Sequence, residues 1–341
     1  MEIINITGLN RDSEVIIGEL LDNVENYLPK TQVFIITDEK VKAYHGDKFP
    51  RFPTYSVEPG EGSKSLEVVG ELYYWLLEMG ADRKSFILGI GGGVVSDLTG
   101  FVASTFMRGV DFGFVPTSLL AQIDASVGGK NGLNISGYKN IVGTFNQPKF
   151  VICDINLLAT LPKEEYLNGF AEIVKHTLIA DMKMFEFIEK NINALKIFNP
   201  TLLEQLVTHS AKIKAKIVQA DEFEKGERKK LNLGHTWGHA VEKETGMSHG
   251  KSVSIGLEFA ARFSIKKELL ERRDYMRLMN ILRELNLPIC IKVNPKRIFE
   301  ALIKDKKKDG DSIDFILMRG IGDVIVERMT LDKIKEFAER G

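Results

Sequence analysis

The sequence is poor in the features that mark several whole classes of protein. It carries two cysteines, Cys153 and Cys290, in 341 residues. Each lies in an apolar stretch and neither belongs to a CxxC pair, which argues against a disulfide framework or a thiolate metal site and fits a reducing, cytoplasmic compartment. No uncharged apolar run approaches the roughly 20 residues that span a bilayer. The opening MEIINITGLNRDSE also lacks the basic start and apolar core of a signal peptide. Neither sign of charge dominates: 46 Lys and Arg against 47 Asp and Glu give a formal net charge of -1, so no basic excess is available to neutralise a nucleic acid backbone. Repeats and low-complexity tracts are absent too. A small-molecule partner is what these absences leave.

The residues that are present describe a globular chain, 44% hydrophobic and 27% charged. Single cores stop growing above roughly 250 residues, so two domains are expected. Through about residue 155 short β-rich runs alternate with helical patterns. VFIIT (33 to 37) reads as a strand, SLEVVGELYYWLLEMG (65 to 80) as a helix, and FILGIGG (86 to 92) as a strand and glycine turn. The pattern predicts an α/β N-terminal domain over 1–160, with a Rossmann-like, largely parallel sheet. LPKEE (161 to 165) reads as a helix start with Pro162 at its first position. Beyond it, helical periodicity dominates 161–341, through KMFEFIEKNINALKIF, LLEQLVTHSAKIKAKIVQAD and KSVSIGLEFAARFSIKKELL; IDFILMRGIGDVIVERM near the end reads as a hairpin turned at Gly320 to Gly322. The second domain is therefore expected to be mainly α-helical.

Three groups of residues suggest chemistry. In GIGGGVVSDLTGFVASTFMRG (89 to 109), glycines follow a predicted strand and open an apolar helix. Such a turn lets the backbone approach a diphosphate, although the spacing is not GxGxxG and a tight strand-to-helix turn would use the same residues. Asp38, at the end of VFIIT, can hold a ribose hydroxyl or cap a helix; Glu61 and Lys64 of PGEGSK can grip ribose and phosphate or cap the next helix. In NLGHTWGHAVEKETGMSHGKSVSIG (232 to 256) three of the six histidines fall within fifteen positions. His235 and His239 share a helix face, and spacing alone selects them as a ligand pair, leaving His249 loose. The carboxylate that a catalytic metal site needs is best supplied by Glu172, in the apolar run GFAEIVKH, where its other reading is a buried partner for Lys175. Lastly, Lys130 and Lys139 in DASVGGKNGLNISGYKN, with Arg108 before them, suit a phosphorylated or carboxylated substrate, or else a solvated surface.

Taken together, PGEGSK, GGGVVSDLTGF, PTSLLAQIDASVGGKNGLN, KNIVGTF, GFAEIVKH, the Lys214 to Arg228 segment, NLGHTWGHA, SHGKSVSIG and DKK resemble the 3-dehydroquinate synthase family of sugar phosphate cyclases over nearly the whole chain. The resemblance implies metal ligands Glu172, His235 and His249, with His239 as a nearby catalytic histidine. It implies substrate contacts from Asp124, Lys130, Asn140, Lys175, Lys214, Arg228, Asn232 and Lys306 or Lys307, with Arg108 reaching substrate phosphate from a second subunit. Of these, Lys130, Lys175, Asn140 and Arg228 join His239 in catalysis. NAD would be lined by Asp38, Glu61, Lys64, Gly92, Gly93, Asp97, Thr117, Ser118, Lys130, Lys139, Thr160 and Leu161. One divalent cation, zinc or cobalt, a phosphorylated sugar acid as substrate, a homodimer and closure on substrate complete the expectation. Ser96, Ser118, Asn131, Phe223 and Lys251 stand where the family pattern has glycine, threonine, threonine, arginine and commonly glutamate.

The implied reaction converts 3-deoxy-D-arabino-heptulosonate 7-phosphate to 3-dehydroquinate and phosphate, with NAD recycled. A sister cyclase acting on sedoheptulose 7-phosphate or another sugar phosphate is the first alternative. Arg228 with Lys214 argues against it, because they suit the carboxylate that those sugars lack. A metal-dependent alcohol or glycerol dehydrogenase is disfavoured by the GGK and KN motifs, and a catalytically dead binding protein by the intact ligands.

Overall fold

The computed structural model describes residues 1–9, 11–306 and 310–340, with side chains for all of these apart from 304–306 and 340. They form two compact units. The first comprises Met1–Pro162 and Leu203–Phe223; the second comprises Lys163–Leu202 and the chain from Glu224 onward.

The strands of the first unit are β1 (Glu2–Ile6), β2 (Ser13–Ile17), β3 (Val33–Asp38), β4 (Thr54–Val57), β5 (Phe86–Gly91), β6 (Asp111–Pro116), β7 (Lys130–Ile135), β8 (Tyr138–Phe145) and β9 (Phe150–Cys153). Seven of them form one sheet in the order β1-β2-β9-β6-β5-β3-β4, in which only the β1/β2 pair is antiparallel. Strands of a parallel sheet are covered on both faces and read as continuous apolar runs. Accordingly all six residues of β5, FILGIG, are buried. Val33, Ile35, Phe86, Leu88, Ile90 and Val115 gather on one face with Phe150 and Ile152 as the core. β7 and β8 form a separate hairpin.

One boundary differs from the expected division at residue 160. Residues 203–223, most of the helix Pro200–Ala220, belong to the first unit. The helix buries Leu203, Leu206, Val207, Ser210, Ala211, Lys214 and Val218 along one face. Gln219 Nε2 donates to the Asn5 carbonyl of β1 at 2.9 Å, and Glu222 Oε1 accepts from Gln147 Nε2 at 3.0 Å. Periodicity shows that a stretch is helical and which face is apolar; it carries no information about which core that face meets.

The second unit is helical, with Lys163–Ala180, Met182–Leu195, His235–Thr245, His249–Lys266, Arg272–Glu284, Pro295–Lys306 and Leu331–Arg340, plus the antiparallel hairpin of β10 (Ser312–Gly320) and β11 (Asp323–Thr330). The hairpin turns where the glycines predict: Gly322, at φ +88°, donates its N–H to the Leu178 carbonyl at 3.0 Å. No helix among the described residues is long and apolar enough to cross a membrane.

Glycine is what brings the helices of this unit so close. A Cβ on Gly256 would stand 1.8 Å from the Gly234 carbonyl oxygen, one on Gly250 2.2 Å from that of Asn168, and one on Gly238 2.9 Å from that of Ser252. Backbone meets backbone at all three places, so no side-chain movement relieves the clash. Trp237 stacks on Phe259 beside these contacts, centroids 4.1 Å apart. Gly256→Ala should therefore destabilise the metal-free protein by about 1–3 kcal/mol. Gly70→Ala lies in an open helix interior with nothing within 4 Å of the added carbon, and should stabilise by about 0.5–1 kcal/mol. Thermal unfolding of both variants in chelator checks the pair.

Candidate functional site

In the second unit, Glu172 sits in the middle of the helix Lys163–Ala180 and is fully buried, flanked by buried Phe170, Ala171, Ile173 and Val174. A carboxylate in such surroundings costs several kcal/mol unless positive charge faces it. Lys175, one helical turn on and 1% exposed, pairs with Oε2. Oε1 faces two imidazoles, with His235 Nε2 and His249 Nε2 each 3.4 Å away.

Both rings are oriented by what holds their other nitrogen. His235 opens a helix directly after Gly234, which is in the left-handed region at φ +77°, and its Nδ1 lies 3.2 Å from the Leu233 carbonyl. His249 opens the next helix, and its Nδ1 lies 3.3 Å from Glu242 Oε2. A carbonyl can only accept, so His235 carries its proton on Nδ1 and turns Nε2 towards Glu172. Ligand atoms about 2.1 Å from a tetrahedral cation lie about 3.4 Å apart, which is the separation of Glu172 Oε1 from each Nε2. One carboxylate oxygen and two imidazole nitrogens so spaced fit a zinc-like divalent cation. The pair selected on spacing alone, His235 with His239, is corrected in this respect: His249 converges on Glu172, while His239 is exposed, its ring centroid 5.1 Å from that of His235 and 5.9 Å from that of His249.

The electrostatics follow from burial and these neighbours. Burial alone would raise the Glu172 carboxyl, but Lys175, His235 and His249 outweigh it and hold the group well below the usual carboxylate range. Burial, with Lys175 beside it, pushes His235 far down, leaving a neutral imidazole. Burial would also lower His249, yet the Glu172 and Glu242 carboxylates prevail and raise it to about 9 in the metal-free centre. Elsewhere in this unit Arg228 is buried, 2% exposed, on the short 3-10 helix Glu227–Asn232, and Asn232 Nδ2 donates to Glu224 Oε1 at 2.5 Å. Lys306 is the last residue of the helix Pro295–Lys306, and Lys307 lies outside the described residues.

In the first unit, β5 ends at Gly91, Gly92 caps the helix Gly93–Thr105, and the first amides of that helix point out of its N-terminus, an arrangement suited to an anion. A Cβ on Gly93 would press to 3.2 Å on Ala125, and one on Gly92 would come within 3.5 Å of Ser118 Oγ. Thr117 N–H donates to the Gly91 carbonyl at 2.9 Å. Lys64, 4% exposed, donates to Asp97 Oδ2 and to Asn140 Oδ1, each at 2.6 Å, so one ammonium joins three of the expected site residues. Burial raises the Asp97 carboxyl despite Lys64. Lys214 pairs with Asp124.

Asp38 Oδ1 accepts from Val41 N–H at 2.9 Å, so it does cap the helix Glu39–His45. Thr160 Oγ1 donates to the Leu157 carbonyl at 3.1 Å and meets His45 Nε2 at 2.9 Å; half-buried Leu161 follows it. Glu61 Oε2 accepts from Asn134 Nδ2 at 2.8 Å. Lys130, Lys139 and Arg108 are exposed, Arg108 at φ +72° directly after Met107 at +48°. The residues that depart from the family pattern have local partners. Ser96 Oγ meets Ser126 Oγ at 2.9 Å, Asn131 Nδ2 donates to the Gly129 and Asn146 carbonyls at 3.1 Å, Phe223 packs edge-on against Phe145, and Lys251 pairs with Glu164.

Sequence reasoning passed over two residues here. Glu242, which holds His249, had a signal: it lies seven positions after His235 and three after His239, on one helix face. Asn168, whose backbone abuts Gly250 and whose Oδ1 accepts from Ser248 Oγ at 3.0 Å, had none. The buried ion pair yields a stability prediction. Glu172→Gln deprives buried Lys175 of its carboxylate and should cost the metal-free protein about 3–5 kcal/mol, most of it recovered in Glu172→Gln/Lys175→Met. Urea unfolding in chelator reads the cycle.

With this geometry in hand, the chain can be set beside known proteins. The family model of the 3-dehydroquinate synthase N-terminal domain matches residues 54–168, and that of the C-terminal domain matches 169–308. A 3-dehydroquinate synthase of Coxiella burnetii is 38% identical over 100% of this chain and 99% of its own. Among solved structures, a 2-deoxy-scyllo-inosose synthase complexed with carbaglucose-6-phosphate, NAD+ and Co2+ aligns over 100% of both chains with a TM-score of 0.89 and 28% identity. A 2-epi-5-epi-valiolone synthase of Streptomyces hygroscopicus subsp. jinggangensis with NAD+ and Zn2+ bound does so with a TM-score of 0.88 and 25% identity. This chain belongs to the 3-dehydroquinate synthase family.

Proposed function

We propose that the chain is a phosphorus-oxygen lyase that converts 3-deoxy-D-arabino-heptulosonate 7-phosphate to 3-dehydroquinate and phosphate, the ring-forming step that serves aromatic amino acid biosynthesis in the shikimate pathway. The observation that carries the reading is the buried Glu172 oxygen with two oriented imidazole nitrogens 3.4 Å from it, in a chain of this family. Glu172, His235 and His249 would hold one zinc or cobalt ion, while Gly92, Gly93, Asp97, Lys64, Glu61, Asp38, Thr117, Ser118, Lys130, Lys139, Thr160 and Leu161 would line NAD. When bound, the cation would supply Lewis-acid polarisation of substrate oxygens and NAD a reversible hydride acceptor, so that neither would be consumed.

The remaining work falls to side chains of this protein. The backbone amides after Gly92 and the ammonium of Lys64 offset the diphosphate charge. Arg228 offers a fork of donors that suits the substrate carboxylate, with Lys214 beside it in role and Asp124 and Asn232 orienting hydroxyls. Lys130, Asn140, Lys175 and Lys306 or Lys307 hold the departing phosphate, whose own oxygen is placed to take the neighbouring C–H proton. His239, which is exposed, handles the proton of ring opening and closure. A homodimer in which Arg108 reaches the partner's phosphate site belongs to the same reading, as does a cytoplasmic location, supported by two cysteines that are both free thiols.

Purified protein incubated with the heptulosonate phosphate and NAD should release phosphate with no net NADH, lose the activity in chelator and regain it with zinc or cobalt. Turnover of sedoheptulose 7-phosphate instead would make it a sister cyclase, and steady NADH accumulation from a simple polyol a dehydrogenase.

A further inference from the structure

The His249 ring is held between two carboxylates. Nε2 faces Glu172 Oε1 at 3.4 Å and Nδ1 faces Glu242 Oε2 at 3.3 Å. The two acids differ in what they can do there. Glu172 is fully buried and stands where a cation would be shared with His235. Glu242, whose side chain is 11% exposed, lies on the helix His235–Thr245, two turns beyond His235. One helix thus supplies a ligand at its first residue and, seven residues later, the group that grips the other ligand from behind. From this geometry we infer that Glu242 is a positioning residue of the metal centre: it accepts the Nδ1 proton of His249 and thereby fixes that ring with Nε2 aimed at the cation. The inference rests on the metal-site reading proposed above.

Three considerations support it. A ligating imidazole needs one nitrogen deprotonated, and an acceptor on the opposite nitrogen selects the tautomer and makes the ring a better donor. Glu242 is such an acceptor for His249, as the Leu233 carbonyl is for His235, so both rings are set in the same sense by groups of different charge. Moreover, His249 stands at the first position of its helix, and its side chain is 29% exposed against 11% for His235. Burial does less to hold His249, so the hydrogen bond has more to do. Glu242 also lies close to His239 and His249 together, but its Oε2 already faces His249 Nδ1 at 3.3 Å.

The test measures zinc affinity by competition with a chromophoric chelator, and the visible absorption of the cobalt form, for wild type, Glu242→Ala, Glu242→Gln and Glu244→Ala. Glu244 lies on the same helix and pairs with Arg297 at 2.5 Å, so its variant controls for a loosened helix. Glu242→Ala should weaken zinc binding by about 10- to 100-fold and alter the cobalt spectrum. Glu242→Gln, which keeps an accepting oxygen without the charge, should fall between it and wild type, and Glu244→Ala should bind as wild type does. Wild-type affinity and an unaltered cobalt spectrum in Glu242→Ala would overturn the inference while leaving the metal centre standing, as would an equal loss in Glu244→Ala. A wild-type protein that binds neither metal would overturn both readings.

Discussion

A carboxylate shut inside a helical core is the constraint around which the second unit is arranged. Glu172 has no contact with water, and its charge is tolerable only because Lys175, His235 and His249 crowd round it. Those partners come from three helices, so the helices must approach closely enough for short side chains to meet. Gly238, Gly250 and Gly256 permit this, each at a point where a methyl group would strike a neighbouring backbone. Packing and electrostatics therefore make a single demand here. The glycines without the acid would leave a close-packed bundle with no chemistry, and the acid without the glycines would keep only Lys175, from its own helix, as a partner.

The first unit meets a different demand with related means. A parallel sheet delivers its strand ends to one edge, and at β5 the chain turns through Gly91 and Gly92 directly into a helix. The amide dipoles of that N-terminus suit an anion, and the nearly buried ammonium of Lys64 is balanced by the Asp97 carboxylate. Lys64 contacts both Asp97 and Asn140, which ties the glycine turn to the β7–β8 hairpin. Division of labour between a unit that suits an anionic nucleotide and a unit that suits a cation is consistent with chemistry in which oxidation and elimination alternate on one substrate.

Much of this was legible in the sequence, for physical reasons that can be named. The strands Val33–Asp38 and Phe86–Gly91, the helix Leu66–Glu78 and the glycine turn follow from period and composition, because a doubly covered strand must be apolar throughout, whereas the short helix Glu39–His45 and the edge strand Thr54–Val57 between them were not read. Glu172 was identifiable as an acid in an apolar helix. Its true companions were not identifiable from spacing, since His235 and His239 share a helix face whereas His249 reaches the same carboxylate only through a helix packing at Gly250 and Gly256; the family resemblance supplied that correction. The placement of 203–223 in the first unit escaped for a similar reason: an amphipathic face declares that it will be buried, never against what. Glu242 had the spacing of a helix-face partner, but its role depends on a ring belonging to the next helix.

Glu172, His235 and His249 are proposed to hold one divalent cation together. Anomalous diffraction at the cobalt edge from crystals grown with cobalt tests it most directly. A single peak is expected within about 2.3 Å of Glu172 Oε1, His235 Nε2 and His249 Nε2. A peak on His239 and Glu242 instead, or no peak near Glu172, would contradict it.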